Sequence, residues 1–435
     1  MRRSFSSSSR TSSKSPAVLA SLVLAAALAA CGGSGNGGGS SPPPPGGGTA
    51  ENPCATSSLE ADLTEGAAPD AAAFARKKEI TDGNPRGRLL DALWLNKSRG
   101  SRARGPSFTA AGNAIDAGEI AIVQDEGDLI EPPNTYDLRN VGLRFTRNSS
   151  GGYDVTRIDA AFRTAVGNRI TLTDDDSAAL NVPFSFSFYG RTQSTAFVNS
   201  DGNITFETED HASTDRNVAR LLTGPPRVAL FFADLDPSTA GRVLANAAAT
   251  EYTVTWCGIR GFDSTQTMNA QVTLLPSGVI EMKYADVSLA EAVVGLSPGR
   301  TGDFTTVNLS DAGTIAGGSG AVGERFAANP QLDAVALARK FYQTHPDNYD
   351  QLVIFSDASV VEGDAFAFEV TVANEIRGIG LNVFDAARDF GSSGRLRSYV
   401  LMDALGKYPD DPQQTFLGEN NAVSVLGQEV GHRWL

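Results

Sequence analysis

The chain has 435 residues, 41% hydrophobic and 20% charged, and its 36 Lys plus Arg against 50 Asp plus Glu give a formal net charge of -14. That length has room for two or three domains, and the apolar content is that of a folded, strand-rich protein rather than a disordered one. The acidic balance argues against a nucleic-acid partner, whose phosphates require clustered Lys and Arg, and mainly favours solubility.

Arg2, Arg3, Arg10 and Lys14 precede an apolar run at 17–30 that is too short to span a bilayer, and Cys31 follows. This is the layout of an export signal. Leu28-Ala29-Ala30-Cys31 resembles the lipobox of bacterial lipoproteins. The resemblance implies that Cys31 becomes the acylated first residue of the mature chain, anchored in the bacterial cell envelope at the outer membrane or cell surface. Arg2-Arg3-Ser4-Phe5 is also similar to a twin-arginine signal, so the export route stays open. Residues 1–31 therefore read as a signal peptide and 32–54 as a disordered Gly/Ser/Pro tether with nothing to bury. Cys54 and Cys257 could pair in an oxidising compartment or stay as two thiols, and their spacing favours neither.

Residues 55–165 form an uncharacterised region in which Ala-rich helical pieces surround a basic patch, Arg86, Arg88, Lys97, Arg99, Arg102 and Arg104. The patch reads as an exposed linker, with release of a propeptide as the functional alternative. Residues 120–123 and 141–145 read as strands without visible chemistry.

An all-β domain is expected over 166–313. Val182, Phe184, Phe186 and Phe188 alternate on one face of a strand, and Asp201-Gly202 marks a hairpin. Residues 228–232 form a continuous apolar run suited to a strand buried on both sides, ending at Ala233-Asp234-Leu235-Asp236-Pro237. Tyr252, Val254 and Trp256 alternate again, a hairpin turns at Pro276-Ser277-Gly278, and 292–296 reads as the last strand. Asp234 and Asp236 could offer oxygens to calcium, but such a site needs six or more ligands, and a turn after a buried strand explains them better.

The succession Pro183-Phe184-Ser185-Phe186-Ser187-Phe188-Tyr189-Gly190, Val198-Asn199-Ser200-Asp201-Gly202-Asn203-Ile204-Thr205-Phe206, Phe232-Ala233-Asp234-Leu235-Asp236 and Leu275-Pro276-Ser277-Gly278-Val279-Ile280 resembles the nidogen-like extracellular domain. The resemblance implies a β-rich sandwich that serves as an interaction module, with no catalytic residues of its own.

A Gly-rich joint at 314–323 leads to a second α/β unit, 325–435. Helical spacing over 332–342 is followed by strands at 349–356, 366–370 and 397–402, then loops and a terminal helix from 421. Asn420 or Asn421 can cap that helix, and Val423, Leu426, Val430 and Trp434 form its apolar stripe. Gln428 and His432 take the opposite side, and Gly427 and Gly431 suggest close packing.

Gln428-Glu429-Val430-Gly431-His432 resembles the His-Glu-x-x-His signature of zincin metallopeptidases, in which two imidazoles one turn apart hold zinc and the glutamate takes a proton from the metal-bound water. The order of strands, loop and helix is likewise similar to the amino-terminal half of a bacterial secreted metallopeptidase domain. The resemblance implies Glu429 as general base and His432 as zinc ligand, with Gln428 at the position of the first ligand, where an amide oxygen is a poor donor. A third ligand would come from a later segment, so the sequence reads as a fragment. His211 and His345 read as loop histidines, and no Gly-x-Ser-x-Gly or phosphate loop occurs.

Two functions follow. One is an exported, lipid-anchored zinc metallopeptidase, inactive as given, acting on a protein or peptide substrate with the nidogen-like module contacting a surface or matrix. The other is a non-catalytic surface adhesion lipoprotein with a degenerate peptidase-like region. The fold class is mainly β with an α/β carboxy-terminal part.

Overall fold

Alternating apolar residues between 140 and 330 build two sheets packed face to face. The structure is a computed structural model describing residues 52–55, 85–101, 115–116, 120–212, 216–360, 366–377 and 383–434. The expected signal, Cys31 and most of the tether lie outside these residues. In chain order the sandwich strands are β1 (Gly142–Arg147), β2 (Tyr153–Ile158), β3 (Asn168–Ile170), β4 (Ser177–Phe188), β5 (Arg191–Asn199), β6 (Asn203–Thr205), β7 (Arg227–Phe232) and β8 (Leu235–Asp236). They continue as β9 (Arg242–Ala248), β10 (Glu251–Gly261), β11 (Thr267–Leu274), β12 (Ile280–Val287), β13 (Ala292–Ser297), β14 (Phe304–Thr306), β15 (Thr314–Ile315) and β16 (Ala321–Phe326). One sheet runs β14-β16-β13-β7-β6-β5-β4. The other runs β15-β2-β1-β12-β11-β10-β9-β3, with β8 added beside β10. β14 lies parallel to β16, and the other neighbours are antiparallel.

The core between the sheets holds the residues that the alternation singled out: Val182, Phe186 and Phe188 from β4, and Tyr252, Val254 and Trp256 from β10. Two polar handles tie the sheets together across it, as buried aromatic N–H and O–H groups require partners. Trp256 Nε1 donates to the Asn199 carbonyl at 3.3 Å, and the Tyr284 hydroxyl to the Leu230 carbonyl at 2.8 Å. All six residues of β7 are buried, the apolar run 228–232 and Arg227 before it. Val228 and Leu230 face the sandwich core, while Ala229 and Phe232 face a second cluster on the outer side.

That outer cluster overturns the linker reading of the basic patch. Helix α1 (Pro85–Ser101) buries Leu90 and Trp94 against Val218, Leu221 and Leu222 of helix α2 (Val218–Thr223) and against Phe304. Trp94 stacks on Phe304 with ring centroids 4.9 Å apart. The basic residues hid the helix because long cationic side chains can cover apolar surface with their heads in the open. Lys97 sits 4.4 Å over the Phe304 ring and Arg88 4.5 Å over Phe368. Arg102 and Arg104 lie outside the described residues.

The outward polar face of the second sheet is also covered. Residues 159–168 cross it as a strap: Arg163 N donates to Gln271 Oε1 at 2.6 Å, and Arg163 forms ion pairs with Glu251 and Glu281. Beside the strap Cys54 and Cys257 form a disulfide, which resolves the pairing that spacing left open.

Residues 292–296 are not the last strand, and 314–323 is not a joint. β14, β15 and β16 follow β13, because the glycines there serve close backbone approach rather than flexibility. A side chain at Gly317 would meet the Tyr153 carbonyl, and one at Gly323 the Val294 carbonyl at 2.4 Å. The strand expected at 120–123 shrinks to Ala121–Ile122 paired with Ile115–Asp116.

The carboxy-terminal unit is a three-stranded sheet, β17 (Gln351–Ser356), β19 (Ser398–Ala404) and β18 (Phe368–Thr371), in the order β17-β19-β18. β17 runs parallel to β19 and β18 antiparallel to it. One face packs Leu352, Ile354, Val370, Tyr399 and Leu401 on helix α3 (Ala334–Tyr342) and on Leu89 of α1. Helix α4 (Ala422–Gly431) covers the other face. No helix among the described residues is long and apolar enough to cross a membrane.

Candidate functional site

Helix α4 begins where the sequence allows it. Asn421 Oδ1 accepts from Ser424 N at 2.8 Å while Ser424 Oγ accepts from Asn421 N at 2.8 Å, a reciprocal capping box. Its buried face is rotated from the expected stripe. Val425 is wedged against Val400 and Met402 of β19, flanked by Leu426 and Val430. Val423 and Trp434 are 56% and 71% exposed. Once Val425 seats on the sheet, Val423 lies two residues, about 200°, around the helix and must face away. A side chain at Gly427 or Gly431 would meet nothing within 4 Å, so neither glycine serves close packing.

Gln428 and His432 are exposed on the same side of the helix, and Glu429 is partly buried. The charge of Glu429 acts on Tyr408: burial first, then Asp403 and Glu429, hold that hydroxyl up at about 12. His432 and Arg433 face Glu369 on β18. Burial raises the Glu369 carboxyl, against hydrogen bonds from Thr371 and Ser398 and the charges of Arg433 and His432. Gln351 Nε2 reaches Ser398 Oγ at 2.8 Å and the Val430 carbonyl at 3.4 Å, completing a polar cluster under the last turn of α4. Sequence reasoning missed Glu369 and Arg433, because only the sheet brings positions more than sixty residues apart together.

This donor set does not complete a zinc site. Zinc takes three or four ligands, usually imidazole, thiolate or carboxylate. Among the described residues no grouping of three such side chains includes Glu429 or His432. His345 does not join them: it is buried, not solvated as a loop position suggests, and stacks on Phe341 at 4.4 Å. His211 lies in an exposed acidic loop, 3.5 Å from Glu209.

Asp234 meets Asp174 and Asp175 rather than Asp236. A guanidinium already pairs with two of these carboxylates. Arg216 Nε bonds Asp201 Oδ2 at 2.7 Å, and its Nη2 pairs with Asp234 Oδ1 at 3.3 Å and with Asp175. A calcium ion would share Asp175 and Asp234 with that cation, and three carboxylates fall short of the six or more ligands it needs. Close by, the wholly buried Arg227 pairs with Asp210 at 2.6 Å, and Arg220 holds the other Asp210 oxygen at 2.6 Å. These ion pairs fasten Asp210, Arg216 and α2 to β7 and to the hairpin at Ser200-Asp201-Gly202.

The sandwich, its hairpin and the Asp234 turn are the features that the nidogen-like resemblance rested on. A family model described as NIDO related matches residues 152–330. Residues 152–330 are a NIDO-related domain. No curated protein matches the chain, and no solved structure does. The Arg216 and Arg227 ion pairs and the Trp256 bond to Asn199 all lie within the NIDO-related domain. The motif residues of this domain thus act as its internal fastening.

Proposed function

We propose that this chain is an exported, lipid-anchored surface protein whose NIDO-related domain makes contacts with an extracellular protein or matrix. In this reading its carboxy-terminal unit is a zincin-like scaffold without a working zinc centre in these 435 residues. The observation that carries the reading is the pairing of a NIDO-related domain with an incomplete donor set on α4. Export draws support from the disulfide of Cys54 and Cys257, since such bonds persist in oxidising compartments.

A peptidase reading keeps one specific support. Gln428 and His432 are exposed side by side on a capped helix that lies against a mixed sheet, the placement a zincin active-site helix requires. Glu429 would be the general base and His432 a zinc ligand, and further ligands would have to come from outside the described residues.

The test is to display the full chain on bacterial cells and measure attachment to protein-coated surfaces, with casein hydrolysis followed in parallel. The reading expects attachment competed by soluble chain, loss of membrane association in Cys31→Ala, and no casein cleavage. Cleavage by the chain, abolished by Glu429→Gln, would overturn it in favour of the peptidase.

A further inference from the structure

Strand β6 is three residues long, and the sheet opens where it stops. Thr205, its last residue, pairs with Phe197 on one side and Arg227 on the other. Beyond that point the first half of β5 has lost its neighbour. A cleft of about 170 Å³ results, lined by Phe188, Tyr189, Arg191, Gln193, Pro226 and Pro298, with Gly299 at its edge.

Gln193 is out of place by the logic of the core. It pairs across the hairpin with Phe186, which puts both on the inward face of the sheet, and it is only 8% exposed. Its amide is not among the buried polar atoms sealed from water without a partner: the side chain lines the cleft and keeps its small exposed surface.

Two backbone conformations shape the walls. Tyr189 (φ 45°) and Arg300 (φ 47°) are non-glycine residues in the left-handed region, which ordinarily marks strain held for a reason. Tyr189 occupies a two-residue hairpin turn where Asn or Gly is the economical choice. Its hydroxyl is fixed by the Gly320 carbonyl at 3.0 Å, which holds the ring against Phe188. Gly299 is required, since a side chain there would strike Pro226 N at 2.5 Å.

The mouth is positive in a chain of net charge -14. Arg191 and Arg300, 67% and 62% exposed at their side chains, share the single carboxylate of Glu207, at 2.7 and 3.0 Å. One positive charge is left over beside an apolar wall and the amide that lines the cleft.

We infer that this cleft binds a peptide carboxylate, an acidic side chain or a chain terminus, with the carboxylate at Arg191 and Arg300 and the adjoining peptide group on Gln193. The assignment names the contact chemistry of the NIDO-related domain and rests on its proposed role as an interaction module.

Saturation-transfer NMR on the full chain would test it with four probes. These are Ac-Ala-Glu-Ala-NH2, its neutral counterpart Ac-Ala-Gln-Ala-NH2, and Ac-Ala-Ala as free acid and as amide. The first pair reads a side-chain carboxylate and the second a terminal one. Binding should favour at least one acid over its neutral partner tenfold or more and weaken with salt. It should fall about tenfold in the Arg191→Met/Arg300→Met variant, whose changes are exposed and leave the core alone. Gln193→Leu should lose affinity with little change in melting temperature, because it keeps the side-chain volume and removes only an amide that lines the cleft; a merely structural glutamine would lose stability instead. Equal binding of acid and neutral probes, no saturable binding of either acid at millimolar concentration, or a Gln193→Leu variant that melts earlier and binds normally would overturn the inference. Those failures with surface attachment intact would sink this site alone, whereas loss of attachment itself would sink the interaction role.

Discussion

Arg227, with no exposed surface, is held by Asp210 at 2.6 Å in the interior of the NIDO-related domain. Burial pushes the guanidinium down to about 10 despite Asp210, so it remains charged at neutral pH. Burial also works against the Asp210 carboxylate, but Arg227 and Arg220 together hold it well below the usual carboxylate range. Arg227 shifts down because burial outweighs its one acid, and Asp210 shifts down because two guanidiniums outweigh its burial. Asp210→Ala strands a buried cation and should cost about 3–5 kcal/mol in urea unfolding at pH 7. A lowered folded pKa means that the stabilisation is present above the unfolded value and disappears as pH falls through the folded one. The difference between wild type and variant should therefore shrink in strong acid.

Trp94 on Phe304 makes the analogous point for α1. Trp94→Ala should cost about 3–5 kcal/mol, as large aromatic truncations in a core do. Hydrogen exchange should show 85–101 losing protection first. Unchanged protection would mean that the helix is held elsewhere.

The alternating strands were legible because period two puts Phe186 and Phe188 on one face whatever lies across from them. The Asp201-Gly202 turn was legible for the same local reason. What escaped depends on distant partners: α1 behind its charges, the glycines of 314–323 that admit neighbouring backbones, and Arg216, whose acids come from three loops. At the candidate site, the cap at Asn421 and the pairing of Gln428 with His432 could be read locally. Which side of α4 met the sheet could not, since Val423 and Val425 are equally apolar and only the fit against Val400 and Met402 chooses between them.

Gly427 separates two readings of α4. With open space around its missing side chain, Gly427→Ala should stabilise the chain by about 0.5–1 kcal/mol through helix propensity alone. A loss in thermal or urea unfolding would restore the close-packing role that the sequence suggests.

Glu369 offers a pH signature for the polar cluster beneath α4. Its carboxyl is raised chiefly by burial, so its contribution to stability is fully present below the unfolded pKa and is lost as pH rises through the folded one. Glu369→Gln should therefore unfold later than wild type at pH 7, with the gain fading below about pH 4.

The most direct test of the account is the zinc content of the purified chain after equilibration with excess zinc and gel filtration. An incomplete donor set at Gln428 and His432 predicts well under one zinc per chain, unchanged by His432→Ala. One zinc per chain, lost in His432→Ala, would contradict it.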